Sequence, residues 1–143
     1  MAKTKSKRKT RKNSLTNLGA NFEQTTVICF LEILNTIKLH HWKTHSHATH
    51  KATDDLHSKL SGNIDTFVET MLGKHGDRIN LTNCHQISLK DFNDVNSFKR
   101  EISNFRDFLI QLKVSKDTDM DLFTIRDELL RDVNQFLYLL TFH

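Results

Sequence analysis

HWKTHSHATHKATDDLHSKLSGNIDTFVE, residues 41–69, holds two pairs of metal-competent side chains at helical spacing, His50 with Asp54 and Asp65 with Glu69. Residues four apart lie on one face of a helix, one turn above the other. Each pair can therefore offer two ligands to one ion. The pair centres are 15 residues apart, about 22 Å along a helix, too far for one ion on one helix. The spacing suits two such helices lying antiparallel across a two-fold axis. The His/Asp pair of one chain then faces the Asp/Glu pair of the other, and an isologous dimer carries two shared sites.

The same segment predicts the helix itself. Leu56, Leu60, Ile64, Phe67 and Met71 recur at the helical period, and Gly73 or Gly76 suits the C-cap. Upstream, Val27, Phe30, Leu31, Leu34 and Ile37 predict a first helix from about Phe22 to Trp42. Lys43–Ser46 reads as a short turn, with Ser46 or Thr44 as cap. Downstream, Asp77–Phe92 has weak periodicity and reads as a long crossover. Phe98, Ile102, Phe105, Leu109 and Leu112 mark a third helix. After a polar turn, Leu122, Ile125, Leu129, Val133, Phe136 and Leu140 mark a fourth. Short turn, long crossover, short turn is the connectivity of a ferritin-like four-helix bundle, an all-α fold with the crossover between helices 2 and 3.

Composition agrees. The chain has 143 residues, 37% hydrophobic, with ten Phe, no Pro and four Gly, as one breaker-poor domain with a sizeable core requires. Cys29 and Cys84 lie far apart without metal-ligand spacing and read as reduced thiols of an intracellular protein. No apolar run is long enough to span a membrane, and no signal peptide is visible. The expected setting is the cytoplasm, nucleoid or nucleus, or a virion or infected host cell.

Charge is unevenly placed. Lys3, Lys5, Lys7, Arg8, Lys9, Arg11 and Lys12 put seven basic groups in the first twelve residues. Removing them from the net charge of +4 leaves about −3 for the rest. The expectation is a disordered basic arm over 1–19, ahead of a mildly acidic helical domain over 20–143. Lys and Arg runs neutralise phosphates without reading sequence. A targeting signal or a purely solubilising arm are the competing readings.

Taken singly, each Asp, Glu or His of the second helix is an ordinary surface group. Together they share a sector that Val68 and Leu72 extend as apolar surface, which predicts a second buried interface. Ser61 and Gly62, between the two pairs, would let two helices cross closely. A mid-helix glycine costs roughly 1 kcal/mol against alanine, so it asks for such a reason. His41 can fold back over the His50/Asp54 face, and Trp42 is expected to pack and fix the helix end. One or two imidazoles with three carboxylates suit Fe(II) or Mn(II).

In these residues the chain resembles the Dps-type mini-ferritins. The pattern is His41-Trp42 at the end of the first helix, then His50 with Asp54, then Asp65 with Glu69. The stretch 41–76 and the ending 117–142 look more like a compact Dps-like group of phages and large DNA viruses. One departure is that His41 and His50 are nine residues apart, where the family's turn is longer. The resemblance implies an intersubunit ferroxidase centre, with His41, His50 and Asp54 from one chain and Asp65 and Glu69 from its two-fold mate. It implies oxidation of Fe(II) by peroxide or dioxygen, storage of ferric iron and protection of DNA. It also implies two-fold dimers within a dodecamer and non-specific DNA binding through the basic arm. A non-catalytic DNA-binding or virion structural protein on the same scaffold is the alternative.

Overall fold

The computed structural model describes the backbone of residues 2–142 and the side chains of residues 21–142. Among the described residues there are four helices and no strand: α1 (Ala2–Lys43), α2 (His47–His75), α3 (Val95–Gln111) and α4 (Met120–Leu139). The fold is the expected all-α four-helix bundle. Helix α1 is drawn back to Ala2, upstream of the expected start near Phe22. The stretch expected as a disordered arm thus has a helical backbone from Ala2, and the basic side chains between Lys3 and Lys12 lie outside the described residues.

Three helix ends follow from local chemistry. Ser46 caps α2, its hydroxyl accepting from the Thr49 amide at 3.2 Å. Gly76 ends α2 at φ 80°, a left-handed conformation that favours glycine, and its amide donates to Leu72 O at 2.8 Å. Asp94 caps α3 through the Ser97 amide at 2.8 Å.

Segment 77–94 returns along α1 from one end of the bundle to the other. Gln24 donates to Asn80 O near its start. Glu32 accepts from the Ser88 amide midway. Lys43 pairs with Asp91 at 2.6 Å near its end. Helices α2 and α3 therefore run the same way, with α1 and α4 antiparallel to their hairpin partners. This is the connectivity that the loop lengths predicted.

Every apolar residue expected on the α2 and α3 stripes is buried, from Leu56 to Met71 and from Phe98 to Leu112. Phe30 of α1 meets Phe67 of α2 edge-on at 5.5 Å and Phe105 of α3 at 6.3 Å, tying three helices at mid-bundle. The α1 stripe differs from its expectation. Phe30, Ile33 and Ile37 form it, with Thr26 and Thr36 also buried, while Leu31 is 43% exposed. The buried face is rotated away from Leu31 because threonine methyls complete it. On α4, the buried Arg126 donates to the carbonyls of Leu109 and Ile110, closing the end of α3. The buried Asp132 accepts from Asn63 Nδ2 at 2.8 Å.

Candidate metal site on the second helix

The turn between α1 and α2 is only three residues, 44–46. It is tight enough to bring His41, in the last turn of α1, against His50, in the first turn of α2. Their rings stack with centroids 3.9 Å apart and planes 19° apart. Each ring bonds the other's backbone. His41 Nδ1 lies 2.8 Å from His50 O, and His50 Nδ1 lies 3.0 Å from His41 O.

These contacts fix the tautomers. A carbonyl oxygen only accepts, so each Nδ1 must carry its proton. Thr53 Oγ1, buried 3.1 Å from His41 Nδ1, fits the same assignment. Its own proton goes to Thr49 O at 2.8 Å or His50 O at 3.0 Å, leaving a lone pair toward the ring. In the neutral form of each ring this arrangement leaves Nε2 as the lone-pair donor. Metal-bound histidines usually hold their second ring nitrogen in this way, with its N–H on a carbonyl.

Asp54, Asp65 and Glu69 are exposed, as is His50, and His41 is buried. The three carboxylates make no ion pair or hydrogen bond with any described residue, while their neighbour Asp55 is tied to Lys59 at 2.9 Å. His57 is half-buried on the same helix. Burial and the Lys38 charge push its pKa down, with Asp54 opposing.

The geometry brings His41 and His50 together and does not gather the whole set. Among the described residues no three His, Cys, Asp or Glu side chains converge in one chain as a group fit for a metal. Asp54 therefore does not join the two imidazoles in one cluster. Asp65 and Glu69 lie some three to four turns further along the same helix.

One expectation changes at this face. Trp42 does not pack into the helix end; it is 69% exposed, with Lys38 Nζ 5.9 Å from its ring centroid. Within the single chain the carboxylates are exposed, and Gly62, between the two pairs, has nothing within 4 Å of where a Cβ would sit, which leaves the expected contact with a second chain untouched. Thr53 was not among the residues singled out from sequence. Its only sequence signal is its place, one turn after Thr49 and three residues after His50.

Among the described residues no helix is long and apolar enough to cross a membrane. No curated protein and no solved structure matches the chain. A family model matches residues 41–140, most of the chain and all five candidate ligands, and on that match the chain belongs to DUF5856, a family of unknown function.

Proposed function

We propose that the protein is an iron-oxidising, iron-storing mini-ferritin whose metal sites form between two chains. The observation that carries this reading is the cross-bonded His41–His50 pair. It sets the Nε2 atom of His41, from the end of α1, beside that of His50 on α2, the helix that also presents Asp54, Asp65 and Glu69 without partners among the described residues. Antiparallel crossing of two α2 helices near Gly62 would set the His/Asp end of one against the Asp/Glu end of the other. The substrate is Fe(II), for which a mixed imidazole and carboxylate set is suited. Each iron gives up one electron. One peroxide accepts two electrons and two protons to leave as two waters. The chain's residues hold and orient the ions, and the carboxylates offset the charge gained on oxidation. The basic residues from Lys3 to Lys12 would hold DNA close to the iron-consuming shell, in an intracellular or virion setting.

The test is anaerobic Fe(II) titration followed by stopped-flow absorbance on adding peroxide. Saturation at two sites per dimer or a small multiple, with fast ferric formation lost in Asp54→Ala, is the expected outcome. Absence of stoichiometric binding by the wild-type protein would sink this reading in favour of a non-catalytic DNA-binding or virion protein on the same scaffold.

A further inference from the structure

Thr53 is fully buried on α2, one turn after Thr49. Packing accounts for its methyl, as it does for those of the buried Thr26 and Thr36 on α1. Packing does not account for its hydroxyl, which joins two helices. Oγ1 lies 3.1 Å from His41 Nδ1, in the last turn of α1. It also lies 2.8 Å from Thr49 O and 3.0 Å from His50 O on its own helix.

A hydroxyl has one proton and two lone pairs. Both backbone neighbours of Oγ1 are carbonyls, which only accept, so the proton goes to one of them. What Oγ1 can offer His41 is therefore a lone pair. The His41 Nδ1 proton then has two acceptors, His50 O at 2.8 Å and Thr53 Oγ1 at 3.1 Å. A ring held by one acceptor can swing about that contact. A second acceptor, three residues further along α2, removes that freedom.

The two histidines differ in how they are held. His50 is exposed, and its Nδ1 has one partner, His41 O at 3.0 Å. His41 is 8% exposed, so its ring nitrogen depends on protein partners and has two. The rings stack at 3.9 Å. The better-held ring is thus the platform on which the exposed one rests.

We propose that Thr53 is a positioning residue of the candidate metal site: its hydroxyl anchors the His41 ring by Nδ1, keeps Nε2 for an ion, and through the stack orients His50. The role rests on the metal-site reading above, because only a ligand gives the orientation of this ring a functional consequence. Partners that hold the second nitrogen of a metal-bound histidine are commonly worth about 10- to 100-fold in metal affinity.

The test separates the hydroxyl of Thr53 from its methyl. Thr53→Val keeps the branched shape and loses the hydroxyl. Thr53→Ser keeps the hydroxyl and loses the methyl. The probe is Co(II), titrated into the full chain without oxygen and followed by its visible absorbance. Thr53→Val should weaken Co(II) binding by about tenfold or more, and Thr53→Ser should bind near the wild-type affinity while melting at a lower temperature. Thr53→Ala, lacking both groups, should match Thr53→Val in affinity and Thr53→Ser in its lowered melting temperature. In the metal-free protein, side-chain NMR should give one sharp set of His41 ring signals for wild type and Thr53→Ser, and a broadened or doubled set for Thr53→Val. Co(II) affinity unmoved in Thr53→Val, or lowered as far in Thr53→Ser as in Thr53→Val, would overturn the proposal and leave the metal-site reading standing. Wild type that binds no Co(II) saturably, with the His41 ring still disturbed by Thr53→Val, would overturn the metal-site reading and this role with it.

Discussion

Single side chains here are governed by what their neighbours can accept. Cys29 lies against α3 and the crossover, and burial, with Glu32 and Glu101 nearby, pushes its thiol up to about 11. At pH 8 only about one thiol in a thousand is then ionised, roughly 100-fold fewer than for a thiol at the usual value near 9. Iodoacetamide should therefore alkylate Cys29 about 100-fold more slowly than a free cysteine, as peptide mass spectrometry over time would report. Fast labelling at pH 8 would show that the burial of Cys29, which is the main cause of its raised pKa, does not persist in solution. At the candidate site, Asp54→Ala combined with Glu69→Ala should reduce peroxide-driven iron oxidation to background and leave far-UV circular dichroism and assembly unchanged. Both carboxylates are exposed and bond no described residue, so the fold does not depend on them. The chemistry of these positions was readable because it rests on residue type and spacing. The contact between His41 and His50 was harder, since a nine-residue separation meets or misses according to turn geometry. Trp42 was misread because a large apolar side chain at a helix end looks the same in sequence whether its neighbours cover it or not.

At the scale of the element, helix ends decide pH and salt behaviour. Asp94 is held below the usual carboxyl range by the Ser97 amide first and the Ser97 hydroxyl second. Its folded pKa is depressed, so its contribution to stability is present above the unfolded carboxyl range near 4 and is lost as pH falls through the lower folded value. Asp94→Asn, which keeps a capping oxygen without charge, should lower the melting temperature at pH 7. The difference should close in acid, as thermal melts across pH 7 to 2 would reveal; a gap constant with pH would mean that the carboxylate's charge plays no part. Helix α2 carries its own test at Gly62. Its Cβ would meet nothing within 4 Å in the single chain, so Gly62→Ala should stabilise the isolated helix bundle by roughly 0.5–1 kcal/mol. Gly62→Leu should instead weaken self-association, measurable by sedimentation equilibrium. Unchanged association in Gly62→Leu would remove the reason given for glycine at that crossing. The α2 and α3 stripes could be read from sequence because strong apolar residues fall on one period with no rival register. On α1 the stripe read through Leu31 is only partly right, because the buried face runs through Ile33 with Thr26 and Thr36 and leaves Leu31 exposed. Threonine carries no signal in an apolar count although its methyl packs like valine's. The buried Arg126 and Asp132 were likewise hidden, because what satisfies them is a carbonyl pair on α3 and an asparagine on α2.

For the whole molecule, the proposed activity requires a second copy, and the basic arm requires a polyanion. The two requirements separate cleanly. The helical domain without residues 1–12 has a net charge of about −3, so it has no general attraction for nucleic acid. The seven basic groups of the arm should release counterions on binding duplex DNA, giving a slope of log affinity against log salt near −6 per engaged arm. Multivalent display on an assembled shell would steepen that slope and raise affinity without new contacts. Deleting residues 1–12 should therefore abolish binding to duplexes of unrelated sequence in mobility-shift assays at physiological salt. The same deletion should leave Fe(II) stoichiometry and oxidation rate at wild-type values, because His41, His50, Asp54, Asp65 and Glu69 all lie beyond it. DNA binding that survives the deletion with the same salt slope would transfer the role to the bundle surface. Loss of iron oxidation together with DNA binding would mean that the arm helps the two chains meet, and the two functions could no longer be assigned to separate parts of the chain.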